Sequence, residues 1–433
     1  MLKIFSCSLG LLFFTTLSFT AIAQTKLSKE EIKILQTVDQ NIQNSLQLLE
    51  NSVNINSGTF NVEGVRKVGA LYRKELEAMG FTIEWISLPD SLKRAGHLVA
   101  WKKGTKGKKI FIIGHLDTVF EPDMPFTPFT ILNDSTATGQ GANDMKGGDV
   151  VVIGALKSLH QLGLLKDASI TVYFTGDEEN AAEPRDISRG DFINRAKQHD
   201  IALGFETATS LNILASARRG ASGWKLEVSG KQAHSSGVFG NAGYGSIYEA
   251  ARIINGFREK LSSEPYLTFN PGLIAGGSEV NYIDAAQKAI LSGKTNIISP
   301  KTVAIGDLRF LSEAQKERAR DTMRAIVSQH LPGSDAKITF EDGIPSMPPT
   351  PGNEALVSKV SEISEAMGLG IVKSGNPGAR GAGDISYVAA YLDCIDGLGS
   401  SGKGAHAPGE TINLKEFPLL VKRTALLFYR LTR

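Results

Sequence analysis

The chain has 433 residues, 42% of them hydrophobic, which is more than one core usually holds and points to two domains. A formal charge of +2 argues against nucleic acid as a partner, and two cysteines exclude a disulfide scaffold. In chain order, Met1-Leu2-Lys3 leads into an apolar run through Leu11-Leu12-Phe13-Phe14 and ends at Ala21-Ile22-Ala23 before Gln24. This pattern reads as a signal peptide over 1–23, cleaved after Ala23, that sends the protein to the periplasm or the exterior. The run is short for a membrane span and its small-x-small ending favours cleavage over anchoring, so no membrane attachment is expected afterwards. Cleavage removes Cys7 and Lys3, which leaves Cys394 alone and lowers the formal charge to +1. No disulfide within the chain is then possible, and a core of this size needs none.

The mature chain opens with a predicted amphipathic helix over about Lys29 to Val53. Ile32, Leu35, Val38, Ile42, Leu46, Leu49 and Val53 recur there at steps of three and four, which places them on one face. A second helix is expected over about Val62 to Met79, then strands at Thr82–Ile86, Leu98–Trp101 and Lys109–Ile113. The lysines from Lys102 to Lys109 read as a solvated hairpin turn without function. A long apolar helix begins near Gly147, and two further apolar strands, Ile170–Phe174 and Ile201–Phe205, follow. Near Ala215–Gly220 the pattern changes to alternating strands around Trp224–Val228, a helix over about Ser246 to Leu261, and more strands to Thr339. Pro345-Ser346-Met347-Pro348-Pro349 then returns the chain to the first unit. The fold class is α/β: a mixed-sheet catalytic domain, 24–215 and 344–433, with an inserted α+β lid, 216–343.

The chemistry-bearing residues sit where strands give way to loops. Lys109–Ile113 delivers His115 and Asp117, two apart on an extended segment and so directed to one side. Ile170–Phe174 delivers Asp177-Glu178-Glu179, and Ile201–Phe205 delivers Glu206. Acids at the ends of successive strands converge in an α/β sheet. Imidazole and carboxylate ligands without thiolate suit zinc, with cobalt or manganese as substitutes, whereas an all-oxygen set would indicate magnesium or calcium. Two such ions need a bridging carboxylate, for which Asp144 in Asn143-Asp144-Met145-Lys146-Gly147-Gly148 is the natural candidate. Two metals sharing a water lower its pKa, and an adjacent acid that is not a ligand takes the proton. The pair Glu178-Glu179 can supply one base and one ligand.

Gly114-His115-Leu116-Asp117-Thr118-Val119, Asn143–Gly148, Thr175–Glu179, Phe205-Glu206-Thr207, Gly230-Lys231-Gln232-Ala233-His234-Ser235 and His406 before Glu410 together resemble one family. It is that of the zinc-dependent exopeptidases and amidohydrolases typified by bacterial glutamate carboxypeptidase, with aminoacylases and succinyl-diaminopimelate desuccinylases as relatives. The likeness covers nearly all of the mature chain. It implies one zinc on His115, Asp144 and Glu206 and a second on Asp144, Glu179 and His406, with Glu178 as general base. Asp117 would hydrogen-bond His115, fixing its tautomer. The resemblance also implies that His234 in the lid stabilises the tetrahedral oxyanion, reaching across a homodimer interface into the other subunit's site. Arg309 would grip a substrate carboxylate and Asn281 would line the same pocket. The loop Glu179–Pro184 lacks the glycine and serine common in the family, which leaves the pocket shape open. The stretch Gly375 to Gly383, with Arg380 inside it, is expected to line the site.

The expected activity is cleavage of the C-terminal amide of a peptide or N-acyl amino acid by metal-activated water. A dipeptidase, aminopeptidase or deacylase of the same fold is the alternative, because the metal centre alone does not choose the substrate. A periplasmic solute receptor has no use for a free base beside five ligands, and the order of the motifs disfavours two-metal phosphoester hydrolysis. His97, His160, His199 and His330 read as ordinary surface or core groups.

Overall fold

In the computed structural model, which describes residues 26–433, the chain enters through Lys29–Val53. The signal peptide expected over 1–23 lies outside the described residues. Ser28 and Glu31 form a reciprocal capping box at the start of that helix. The buried stripe runs through Ile34, Val38, Asn41, Ser45, Leu49 and Ser52, whereas Ile32 faces solvent. Of the expected apolar face, Val38, Leu49 and Val53 are buried and Leu35, Ile42 and Leu46 pack against the core; only Ile32 points away, and polar Asn41, Ser45 and Ser52 join the buried side. The helix packs on Lys146–Gln161, where a side chain at Gly154 would meet the Ser45 hydroxyl at 2.8 Å, and Asn41 bonds Gln161 at 2.7 Å. Small polar residues permit that close approach, and a count of apolar positions misses them.

The main sheet has six strands in the spatial order Thr82–Ile86, His97–Lys102, Ala168–Thr175, Lys106–His115, Ile201–Gly204 and Asp393–Ile395. The first two pairings are antiparallel and the remaining three parallel. The lysine-rich segment is not a hairpin between neighbours: Ala168–Thr175 inserts between His97–Lys102 and Lys106–His115. Lys103, Lys106, Lys108 and Lys109 are nonetheless exposed. Along the central strand, Ile110 and Ile112 enter the core built with Lys29–Val53, Lys146–Gln161 and Phe417–Leu431. Phe111 and Ile113 enter a second core with Phe192 and Tyr173. Burial on both faces explains why this strand is continuously apolar rather than alternating.

The inserted unit is a four-stranded antiparallel sheet in the order Thr268–Gly277, Lys301–Phe310, Gly220–Gly230 and Ser334–Asp342. Gly245–Leu261 and Glu313–Val327 cover one face and close a separate core around Trp224, Phe257, Leu308 and Met323. The two crossing segments pair with each other: Arg218 and Met347 exchange backbone hydrogen bonds of 2.8 and 2.9 Å. No helix among the described residues is long and apolar enough to cross a membrane.

Candidate active site

Ala168–Thr175, Lys106–His115 and Ile201–Gly204 are mutually parallel, so their carboxyl ends open on the same edge of the sheet. His115, the Glu178-Glu179 turn and Glu206 arrive there together. Asp144 comes from the loop before helix Lys146–Gln161. That helix must begin Gly147-Gly148 because a side chain at Gly148 would meet the Phe205 carbonyl at 2.1 Å and one at Gly147 the Ala142 carbonyl at 2.5 Å. The glycines let the helix start press against the strand end that carries Glu206. His406 arrives from the loop between Gly402–Lys403 and Thr411–Asn413, with its backbone in the left-handed region at φ 65°.

The side chains form two groups that share Asp144: His115, Asp144 and Glu206, and Asp144, Glu179 and His406, with candidate ligand atoms within 4.8 Å of one another in each group. His115 Nε2 stands 3.5 Å from Asp144 Oδ1 and 3.6 Å from Glu206 Oε1. His406 Nε2 stands 3.2 Å from Asp144 Oδ2 and 3.2 Å from Glu179 Oε2. One oxygen of Asp144 therefore serves each group, as a bridging carboxylate must. His115 Nε2 and Glu179 Oε1 are buried without a hydrogen-bond partner, the condition of atoms whose partner is a metal ion. The donor set fits two divalent cations. Glu178 lies outside both groups but lines the same cleft as Asp144, Glu206 and His406, which has a volume of about 390 Å³.

The electrostatics agree with a cation site. Hydrogen bonding to Asp144 and Glu179 pushes His406 up to about 11. Burial opposes the charged form of His115, yet the acidic partners Asp117 and Asp144 outweigh it and hold the ring well above its ordinary value. Burial also acts on Asp144, but the two imidazoles hold it well below the usual carboxylate range. Burial and then the Asp144 charge lift Glu206 to about 7, and burial and then the Glu206 charge lift Glu178 well above its ordinary value. Acids crowded in a low dielectric resist ionisation until a cation neutralises them.

Asp117 reaches His115 through its main chain: the Nδ1 nitrogen lies 3.0 Å from the Asp117 carbonyl, and the carboxylate stands at 3.5 Å. A proton on Nδ1 donated to that carbonyl leaves Nε2 as the ligand atom. The Asp117 carboxylate instead accepts the Glu178 and Glu179 amides at 3.0 and 3.1 Å and the Thr59 hydroxyl at 2.6 Å. It shapes the turn that separates Glu178, outside both groups, from Glu179, inside one. Glu410 acts similarly on the bridging loop, accepting the amides of Gly141, Asn143 and Asp144 at 2.9, 2.7 and 2.7 Å. Sequence reading noted Glu410 only as part of a motif, because nothing local shows which amides a distant carboxylate will meet. It missed Arg218, which pairs with Asp396 and donates to the Gly381 and Ala382 carbonyls at 2.7 and 2.8 Å. It also missed buried Arg189, which joins Asp177 at 2.6 Å to Asp384 at 2.8 Å behind the Glu178 turn.

The lid residues are not among those that line this cleft. His234 is exposed and its Nδ1 contacts the Ser236 hydroxyl at 2.8 Å. Arg309 pairs with Asp307 at 2.9 Å, and Asn281 is exposed on the hairpin of Glu279–Ile283 with Lys288–Ser292.

Comparison with known proteins gives this geometry its context. The family model described as peptidase family M20/M25/M40 matches residues 111–430. The chain belongs to that family. It is therefore a hydrolase of the metallopeptidase and amidohydrolase class, and its mixed-sheet domain with an inserted lid is the family's fold. Among curated relatives, carboxypeptidase G2 of Pseudomonas sp. (strain RS-16) is 28% identical over 92% of this chain and 91% of its own length. A succinyl-diaminopimelate desuccinylase of Gluconacetobacter diazotrophicus is 22% identical over 82% and 89%. Among solved structures, aminopeptidase PepT of Bacillus cereus superposes with a TM-score of 0.71 at 16% identity, covering 90% of this chain and 98% of its own. YXEP of Bacillus subtilis, described as a dinuclear metal-binding peptidase, gives 0.64 at 15% identity, covering 91% and 99%.

Proposed function

We propose that this member of the family is an exported dizinc exopeptidase that removes the C-terminal residue of a peptide or an N-acyl amino acid. The observation that carries the reading is the pair of ligand groups sharing Asp144, with Glu178 beside them and outside both. Carboxypeptidase G2, 28% identical over 92% of this chain, supports the carboxypeptidase assignment.

Bound divalent cations would supply Lewis-acid polarisation of the scissile carbonyl and acidify a water, with zinc favoured by the mixed imidazole and carboxylate donors. Glu178 accepts the proton of the attacking water and passes it to the departing amine. Asp117, through the two amides it holds, keeps Glu178 and Glu179 in their separate roles. His234 of a second copy would face the developing oxyanion, with Asn281 and Arg309 beside the substrate. A homodimer through the lid is supported by that unit's edge strand, Thr268–Gly277, where Ile274 is exposed, and by exposed Ile247 and Tyr248 on the adjoining helix.

Metal analysis coupled to a panel of C-terminal glutamyl peptides, dipeptides and N-acetyl amino acids tests the reading. The expected result is about two zinc ions per chain and preferential release of a C-terminal residue. Preferential cleavage at the amino end, or of free dipeptides, would replace it with the alternative specificity. Export rests on the leader sequence, and the mature protein recovered outside the cytoplasm should begin at Gln24.

A further inference from the structure

Two arginines line the metal cleft, and they differ in what their charge meets. Arg218 is buried, pairs with Asp396 and spends its remaining donors on the carbonyls of Gly381 and Ala382. Arg380 pairs with no carboxylate among the described residues. Its Nη1 donates to the Thr207 carbonyl at 2.8 Å and the Thr209 hydroxyl at 3.2 Å, which leaves the other edge of the guanidinium without a protein partner. Thr207 follows Glu206, so this cation is tethered one residue from a candidate metal ligand.

The segment that carries Arg380 is anchored. Arg218 holds the Gly381 and Ala382 carbonyls, and Arg219 holds the Gly378 carbonyl at 3.1 Å. Backbone fixed on both sides of residue 380 presents the guanidinium with little ordering cost on binding. Asp144 and Glu206, which would spend their charge on the metals, line the same cleft with Glu178, so a substrate carboxylate held away from the metals needs a cation of its own. A planar guanidinium with one edge open receives a carboxylate through two parallel hydrogen bonds.

We propose that Arg380 is the residue through which this cleft selects substrates bearing a free carboxylate. The proposal rests on the hydrolase reading above and narrows it. It also separates the cleft's own selectivity from Arg309, whose guanidinium is engaged by Asp307 in the lid. The carboxylate has two sources, the α-carboxylate of the released amino acid or an acidic acyl group, and the experiment distinguishes them.

The zinc-loaded full chain, with Arg380→Ala and Arg380→Lys, is assayed on an N-acetyl dipeptide and its C-terminal carboxamide, and on succinyl- and acetyl-capped versions of one amide. In Arg380→Ala the acid-over-neutral ratio of kcat/KM should fall roughly 10- to 100-fold in one of the two pairs, with zinc content retained. Loss in the first pair places the carboxylate on the released amino acid, and loss in the second places it on the acyl group. Arg380→Lys, which keeps the charge but not the fork, should fall between Ala and wild type. A ratio unaltered in both pairs overturns the proposal. Calorimetric binding of an N-acetyl amino acid against its carboxamide, and of a succinyl-capped against an acetyl-capped amide, gives a readout independent of turnover. Equal discrimination by wild type and Arg380→Ala in both calorimetric pairs also overturns it, whereas a wild type that binds the acid selectively but cleaves nothing overturns only the hydrolase reading.

Discussion

Around Asp144, acids and imidazoles from separate strand ends crowd within a few ångströms of one another, several of them buried and two buried atoms without protein partners. In the lid, His234, Asn281 and Arg309 each lie at or near the surface, and the contacts of His234 and Arg309 stay within the lid. The two regions have different requirements. The cleft is assembled by one chain because parallel strands share an edge. The lid residues can join it only if a second copy or a movement of the lid brings them there.

The largest effect is expected at the bridge. Asp144→Ala should lose both metals and reduce turnover to background, whereas His406→Ala should lose one and keep the other. Equal metal loss in the two variants, read by atomic absorption, would deny the bridging role. Glu178→Gln should keep both metals and lose about 10²- to 10⁴-fold in kcat. A near wild-type rate in that variant removes Glu178 from the mechanism.

His234→Ala probes the other side of the comparison. Turnover should fall roughly 10²- to 10³-fold with full metal content, the scale of one oxyanion donor. Mixing it with an inactive Glu178→Gln partner should restore part of the activity, since each mixed dimer then contains one intact site. Absence of any rescue, with mixed dimers demonstrated by native mass spectrometry, would place His234 outside the partner's site.

The pH dependence of metal binding is a smaller effect. His115 and His406 are held protonated above their ordinary range in the metal-free cluster, and a cation must displace those protons. Since His406 is raised to about 11, lowering pH from about 8.5 to 6.5 should weaken zinc binding by about tenfold per unit for each ring that must lose its proton. Competition with a chelator at the two pH values measures this, and a pH-independent affinity would refute it. The smallest expected change is Glu410→Gln, which keeps one acceptor oxygen for the bridging loop but turns the other into an NH2 donor facing a backbone N–H. It should cost about 1–2 kcal/mol in denaturant unfolding of the metal-free protein, and no cost would mean the loop holds itself.

Strand-end placement made the ligands legible: His115, Glu178, Glu179 and Glu206 each follow an apolar strand, and local pattern is enough to set where such residues emerge. Helix Lys29–Val53 was legible in extent and in most of its face, but not in the burial of Asn41, Ser45 and Ser52, because packing on Gly154 selects small polar Ser45 as readily as a branched apolar side chain. The order of the main sheet was not legible. The lysine segment looks like a hairpin turn, and only pairing energetics across the sheet decide that Ala168–Thr175 inserts there.

By itself the sequence indicated which side chains could bind metal, which pair of acids holds the proposed base, and where a second unit interrupts the first. Those properties depend on residue type and short-range periodicity. The tertiary structure alone decided that Glu410 cradles the bridging loop, that Asp117 turns its carboxylate to the Glu178-Glu179 amides, and that Arg380 rather than Arg218 keeps an open guanidinium edge. Each of those depends on which backbone groups, often hundreds of residues apart, are left to be satisfied once the chain has packed.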